Sequence, residues 1–141
     1  KAVADKVKEM DVDVIVGPAM GGIIVAYELA RQLGKPGIFV ERENGTMALR
    51  RGFAIPQGTR CIISEDVVTT GKSSGETARI LTDGGADWVS SGSIIDRRAE
   101  GVCEGWDLVS LWKLSFPLFE EKECPLCKEG LPLVKPGSRP G

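Results

Sequence analysis

One stretch of this chain, residues 60–75, constrains the fold and the function more than any other, and it has the sequence RCIISEDVVTTGKSSG. The apolar run 61–63 predicts a buried strand. Two carboxylates, Glu65 and Asp66, follow directly, and a loop of hydroxyl-bearing residues surrounds Gly71. Apolar residues at helical spacing follow this loop, and the glycine pair at 84–85 ends the predicted helix. The order is therefore strand, acidic pair, polar loop and helix N-terminus.

This order has a chemical meaning. The first turn of a helix carries unpaired N–H groups and the positive end of the helix dipole, so it suits a phosphate. The hydroxyls of Thr69, Thr70, Ser73 and Ser74 add donors, and Gly71 lets the backbone bend around the anion. The acidic pair cannot serve the phosphate, but it suits sugar hydroxyls or a Mg²⁺ ion brought by a polyphosphate. The stretch therefore predicts a sugar-phosphate site.

This stretch is also compatible with two other local structures, a nucleotide-binding loop and a plain turn. Residues 71–73 look like the end of a Walker A loop, but that motif needs a glycine at position 66, where Asp66 stands. A plain strand-to-helix turn with a hydroxyl cap is common. It leaves two adjacent acids at a strand end unexplained, so we favour the binding site.

The segment EDVVTTGKS resembles the phosphoribosyl-pyrophosphate (PRPP) binding motif of type I phosphoribosyltransferases, with departures at Ser64 and Lys72. The resemblance implies that the acids contact the ribose hydroxyls and that the loop holds the 5′-phosphate. It implies Mg²⁺ as the cofactor, brought by PRPP, with Asp66 as a candidate ligand, and a catalytic role for the acidic pair. The PRPP-binding residues are then Glu65, Asp66, Val67, Val68, Thr69, Thr70, Gly71, Lys72 and Ser73.

The rest of the chain alternates helix and strand patterns. Apolar spacing predicts helices over residues 1–10 and 23–33 and strands over 12–16, 38–40, 86–96 and 108–114. This alternation predicts an α/β fold with a parallel sheet and helices on both faces. The resemblance implies the type I phosphoribosyltransferase fold, a mainly parallel twisted sheet with a mobile loop over the site. We expect one core domain over residues 1–141, a loop-rich tail over 118–141, and a missing N-terminal hood segment.

The loop after the first predicted strand, residues 17–22, leaves several interpretations open. Its glycines fit a degraded dinucleotide fingerprint, with Glu41 where a ribose-binding acid would stand. A nicotinamide enzyme has no need of the acidic stretch at Glu65, which argues against this interpretation. The glycines also fit a turn that only allows close helix–strand packing. In type I phosphoribosyltransferases the matching loop binds pyrophosphate through backbone N–H groups. The resemblance therefore assigns pyrophosphate binding to Ala19, Met20 and Gly21.

A polar segment rich in arginine, residues 41–52, is either a solvated hairpin or a loop that closes over an anion. It resembles the mobile catalytic loop of orotate phosphoribosyltransferases, particularly their short form. Long-form members carry an Arg-Lys-x-x-Lys-x-His pattern in this loop. Arg42 fits its first position, while Glu43, Thr46 and Ala48 stand where the lysines and the histidine would be. The resemblance implies that Arg42 is catalytic and that the loop reaches the partner site in a homodimer. The arginines assigned to pyrophosphate are Arg42, Arg50 and Arg51.

The last core strand ends in Asp96, Arg97 and Arg98, at the edge of the sheet where α/β proteins bind ligands. A surface salt bridge with Asp96 would also explain an arginine here. The resemblance assigns orotate binding to Arg97 and Thr69. It implies transfer of the phosphoribosyl group from PRPP to orotate in pyrimidine biosynthesis. A purine-type phosphoribosyltransferase and a non-catalytic PRPP-sensing regulator remain alternatives.

Composition excludes several other classes. The net charge of −2 gives no basic footprint for nucleic acid and no polybasic patch for a membrane. There is no apolar run long enough to span a bilayer. Four cysteines without a secretory pattern predict a reducing, cytoplasmic compartment. The chain has no histidine, so histidine cannot be an acid, a base or a metal ligand.

The tail carries a CxxC pair, Cys124 and Cys127. A structural zinc site needs four ligands, and the other cysteines lie far away in sequence. We therefore expect structural or incidental thiols. The segments CPLCKEGLP and KPGSRPG also resemble the tail of the short-form orotate enzymes.

Overall fold

The computed structural model describes residues 1–117 and 119–132, so the tail motif KPGSRPG lies outside the described residues. Within these residues the elements, in chain order, are α1 (Ala2–Val7), β1 (Val14–Pro18), α2 (Gly21–Leu33), β2 (Gly37–Glu43), β3 (Thr46–Leu49), β4 (Arg60–Val68), α3 (Lys72–Asp83), β5 (Asp87–Asp96), β6 (Leu108–Lys113) and α4 (Pro125–Lys128).

The six strands form one sheet in the order β3-β2-β1-β4-β5-β6. Neighbouring strands from β2 to β6 are parallel, and β3 is antiparallel to β2. The strands β2 and β3 are therefore added on one side of β1, and β5 and β6 are added on the opposite side, beyond β4. Ligands in open α/β sheets bind at the carboxyl ends of the strands where the order reverses. That point is the boundary between β1 and β4, which is where the two glycine-containing loops lie.

Helices cover both faces of the sheet. Successive side chains of β1 and β4 point to opposite faces, and those on each face are apolar and pack against helices. Ile15 and Ile62 belong to the core beneath α1 and α2. Val16 and Ile63 belong to the core beneath α3. All four side chains are fully buried. The predicted α/β architecture, with a mainly parallel sheet between two helical layers, is confirmed.

Element boundaries differ from the sequence prediction at the site. Strand β1 continues through Pro18, so the predicted loop 17–22 shrinks to Ala19 and Met20 between β1 and α2. Strand β4 continues through the acidic pair to Val68. Both extensions add parallel-strand pairing, which holds these backbone segments in fixed positions.

The segment predicted as a loop over 41–52 forms a β-hairpin from β2 and β3. Asn44 and Gly45 both have positive φ, 50° and 83°, as a two-residue hairpin turn requires. The solvated-hairpin alternative therefore describes its backbone. Among the described residues, no helix is long and apolar enough to cross a membrane.

Candidate active site

The polar loop after β4 forms a cavity of about 190 Å³, lined by Glu65 and by residues 67–74. Gly71 caps α3 with a φ of 69°, and the backbone N–H of Lys72 donates to the Thr70 hydroxyl over 3.3 Å. The loop thus curls around the first turn of α3, where helix N–H groups point outward. The structure brings together every predicted PRPP-binding residue of this motif except Asp66.

Glu65 is the buried member of the acidic pair, with 9% of its surface exposed. Its Oε1 accepts a 3.4 Å hydrogen bond from the Ser74 hydroxyl on α3. Burial and the neighbouring Asp66 charge raise the pKa of Glu65 to about 7, against the opposing effect of Ser74. At neutral pH this carboxyl is therefore divided between its protonated and ionised forms.

Asp66 is exposed and lies next to the start of α2. Its Oδ1 accepts a 2.8 Å hydrogen bond from the backbone N–H of Val67. A Cβ at Gly21 would overlap the Asp66 carboxylate, so these two residues lie directly against each other. The predicted pyrophosphate loop and the acidic pair are therefore in direct contact across the β1–β4 boundary.

The predicted pyrophosphate residues are not equally available. The Ala19 N–H donates to the Val40 carbonyl over 2.7 Å, so it is used within the sheet. Met20 is 79% exposed, and its peptide bond to Ala19 is cis. Gly21 begins α2, whose first N–H groups have no partners within the helix. The N-terminus of α2, rather than Ala19, is the part of this loop that can bind an anion.

The three arginines of the hairpin are engaged with carboxylates. Arg42 pairs with Glu76 on α3 and donates to the Gly45 carbonyl over 2.7 Å. In the described part of the chain, none of these arginines lines the cavity around the phosphate loop. Arg50 pairs with Glu43 at 3.1 Å and with Glu41 at 3.5 Å, and Arg51 pairs with Glu41 at 2.9 Å. The structure therefore does not bring the predicted pyrophosphate arginines to the PRPP motif.

A second cavity, of about 150 Å³, adjoins the first and includes Thr69, Arg97 and Phe116 in its lining. Thr69 lines both cavities. The salt bridge considered for this region belongs to Arg98, whose Nε lies 3.0 Å from Asp96 Oδ1. The two residues assigned to orotate are thus brought together at one cavity, and Arg97 is the arginine whose guanidinium Asp96 leaves free.

The segment that follows β5, residues 97–106, packs against the phosphate loop. Arg98 Nη1 donates to the Cys103 carbonyl over 3.4 Å, and the Cys103 thiol lies 3.5 Å from the Thr70 carbonyl. A Cβ at Gly71 would overlap Cys103 Sγ and approach Trp106 to 3.1 Å. Glycine at position 71 therefore allows this segment to pack directly on the loop. The sequence alone did not indicate this contact.

Comparison with known proteins decides the family. A phosphoribosyl transferase domain model matches residues 2–107. An orotate phosphoribosyltransferase from Caldanaerobacter subterraneus subsp. tengcongensis is 48% identical over 139 residues, which cover 99% of this chain and 73% of the relative. The chain belongs to the phosphoribosyltransferase family. The predicted family is confirmed, and the name of this relative agrees with the predicted acceptor.

Solved structures show the same fold for this phosphoribosyltransferase. An adenine phosphoribosyltransferase from Thermoanaerobacter pseudethanolicus has a TM-score of 0.66 at 21% identity, covering 80% of this chain and 76% of the other. An orotate phosphoribosyltransferase from Aeropyrum pernix has a TM-score of 0.62 at 27% identity, covering 80% and 68%. The predicted type I fold is therefore confirmed.

The tail of the phosphoribosyltransferase adds no metal centre among the described residues. All four cysteines are free, and no group of three or more potential ligands lies together in residues 1–117 and 119–132. Hydrogen bonds from the Cys127 and Leu126 backbone lower the pKa of Cys124, which stands at the start of α4. The prediction of incidental thiols stays a prediction.

Proposed function

We propose that this chain transfers the 5-phosphoribosyl group of PRPP to orotate, giving orotidine 5′-monophosphate and pyrophosphate in pyrimidine biosynthesis. The observation that carries the proposal is Thr69, which lines both the phosphate-loop cavity and the cavity of Arg97. A sugar phosphate seated on the loop would then present its reacting carbon near the second cavity. The free guanidinium of Arg97 supplies the bidentate donor that a carboxylate-bearing base needs.

The site suits displacement without a protein nucleophile. The ring nitrogen of orotate attacks the ribose carbon as pyrophosphate leaves, and the protein positions the partners and neutralises developing charge. Loop hydroxyls and α3 N–H groups hold the 5′-phosphate. Glu65 and Asp66, whose carboxylates both lie near the start of α2, bind the ribose hydroxyls. The N-terminus of α2, in contact with Asp66, receives the pyrophosphate.

Mg²⁺ fits this site as an ion carried by PRPP. The chain offers two adjacent carboxylates, Glu65 and Asp66, and no cluster of three potential ligands among the described residues. Mg²⁺ is typically bound through one or two carboxylates together with substrate phosphates and waters. Asp66 is the better placed ligand because it is exposed, whereas Glu65 is buried against Ser74. Bound Mg²⁺ would neutralise charge on the leaving pyrophosphate.

Replacing Arg97 with alanine tests the choice of base. We expect the KM for orotate to rise about 10- to 100-fold, because a bidentate charge-assisted pair is lost, while the KM for PRPP changes about twofold or less. Steady-state kinetics with each substrate varied in turn gives both values. Arg79→Ala is the matched control, since Arg79 is an exposed arginine on α3 outside both cavities. Equal rises in both KM values would show that Arg97 is a structural arginine.

We further propose that the enzyme works as a homodimer in which the hairpin arginines serve the partner's site. Arg42 is held by Glu76 and Gly45 within its own chain, so it would have to exchange these contacts for pyrophosphate. Large exposed apolar side chains at the N-cap and in the first half of α2 support a contact between subunits. They are Met20, Ile24 and Tyr27, at 79%, 72% and 65% exposure.

Mixing two inactive variants tests the shared site. Arg42→Ala and Asp66→Asn should each lose activity, and a mixture allowed to exchange subunits should recover part of it, because one hybrid site keeps both groups. The measurement is PRPP-dependent nucleotide formation before and after mixing, with sedimentation of each sample. A monomer at assay concentration, or a dimer without recovery, would contradict the shared site.

A further inference from the structure

Arg97 and Phe116 face each other because two parallel strands end side by side. Strands β5 and β6 pair through Asp96 and Lys113, and the Leu114 N–H donates to the Asp96 carbonyl over 2.8 Å. Because of this pairing, the residues that follow β6 lie beside the residues that follow β5. The guanidinium carbon of Arg97 consequently lies 4.8 Å from the centroid of the Phe116 ring.

Unlike an ion pair, the contact with an aromatic ring leaves the N–H donors of the arginine free. A guanidinium over a ring face is attracted by the ring quadrupole, and its N–H groups, which lie in its own plane, stay available. Arg98 shows the contrast, because its N–H groups are used by Asp96 and the Cys103 carbonyl. Within the described residues, the Arg97 side chain makes no ion pair or hydrogen bond. Phe116 therefore restrains Arg97 without consuming its donors.

We propose that Phe116 is a positioning residue for recognition of the acceptor base: its ring holds the Arg97 guanidinium at the second cavity with the donor fork free for the carboxylate. This inference rests on the proposed function. Phe116 lines the same cavity as Thr69 and Arg97. It acts through Arg97, so it governs the affinity for a carboxylate-bearing pyrimidine and leaves the PRPP motif alone.

Phe116→Leu is the direct test, with Phe116→Tyr as the conservative variant. Phe119→Leu is the matched control, because both phenylalanines are 53% exposed and Phe119 has no such arginine contact among the described residues. We expect Phe116→Leu to raise the KM for orotate about 3- to 10-fold. The KM for PRPP, kcat and the thermal midpoint should stay at wild-type values, and Phe116→Tyr and Phe119→Leu should behave as wild type.

A double variant separates positioning through Arg97 from direct contact with the base. In an Arg97→Ala background, Phe116→Leu should cause no further rise in the KM for orotate, because the two residues act as one unit. An additive rise, a matching rise in the KM for PRPP, or an equal effect of Phe119→Leu would overturn the positioning role while leaving the proposed function intact. If the wild-type chain formed no nucleotide from orotate, the proposed function would fail, and this inference with it.

Discussion

Replacing Arg98 with methionine is expected to lower the free energy of unfolding by about 3 kcal/mol, because it leaves a buried charge without its partner. Asp96 is 3% exposed. Burial tends to raise the pKa of Asp96, but the side-chain and backbone hydrogen bonds from Arg98 outweigh it and hold that pKa below its ordinary value. The Arg98 guanidinium binds both oxygens of the Asp96 carboxylate, with hydrogen bonds of 3.0 and 3.1 Å.

The measurement is urea unfolding at neutral pH, with two comparison variants. Arg97→Met removes the adjacent, exposed arginine and should change the free energy by about 0.5 kcal/mol or less. Adding Asp96→Asn to Arg98→Met removes the orphaned charge and should restore part of the loss. Equal effects of Arg97→Met and Arg98→Met would contradict the assignment of the salt bridge to Arg98.

The second large effect is a pH dependence that Glu65→Gln should remove from the ligand-free protein. The pKa of Glu65 rises from an ordinary 4.5 to about 7, chiefly through burial and then through Asp66. The folded chain therefore keeps a proton that the unfolded chain has released. The resulting stabilisation is fully present below pH 4.5 and is lost as the pH rises through about 7. A rise of this size corresponds to about 3 kcal/mol.

Unfolding free energies of the wild type and of Glu65→Gln should therefore diverge across this interval, with the wild type falling as pH rises. The chain has no histidine to titrate in the same window, which makes the comparison clean. Glu9→Gln, a change at an exposed glutamate, should track the wild type. Parallel profiles for the wild type and Glu65→Gln would show that the Glu65 carboxyl is solvated in the folded chain.

Much of the fold follows from sequence because buried strands and helix boundaries leave local signals. The apolar run at 61–63 and the spacing after Gly71 place β4 and α3. The hairpin at 41–52 was harder to predict because an edge ribbon needs only one buried face. Val40 and Met47 form that face, at 0% and 4% exposure, and charged residues between them make the segment look like a loop.

The site was predictable where its residues are contiguous and less so where distant segments meet. The motif around Glu65 lines one cavity, as its order indicated. Contact between Gly21 and Asp66 depends on the pairing of β1 with β4, which no local pattern reveals. Either Arg97 or Arg98 could pair with Asp96 from sequence alone, and the folded chain pairs Asp96 with Arg98, which leaves Arg97 free. The carboxylate partners of the hairpin arginines likewise depend on tertiary packing.

The most direct test of the account is nucleotide formation from PRPP and Mg²⁺ with orotate, uracil or adenine supplied one at a time. Chromatography with mass detection identifies the product, and a coupled assay quantifies pyrophosphate. We predict orotidine 5′-monophosphate and pyrophosphate in equal amounts from orotate, dependent on PRPP, and far less product from uracil, which lacks the carboxylate that Arg97 would bind. Adenine nucleotide formed in preference, or PRPP binding without any nucleotide, would contradict it.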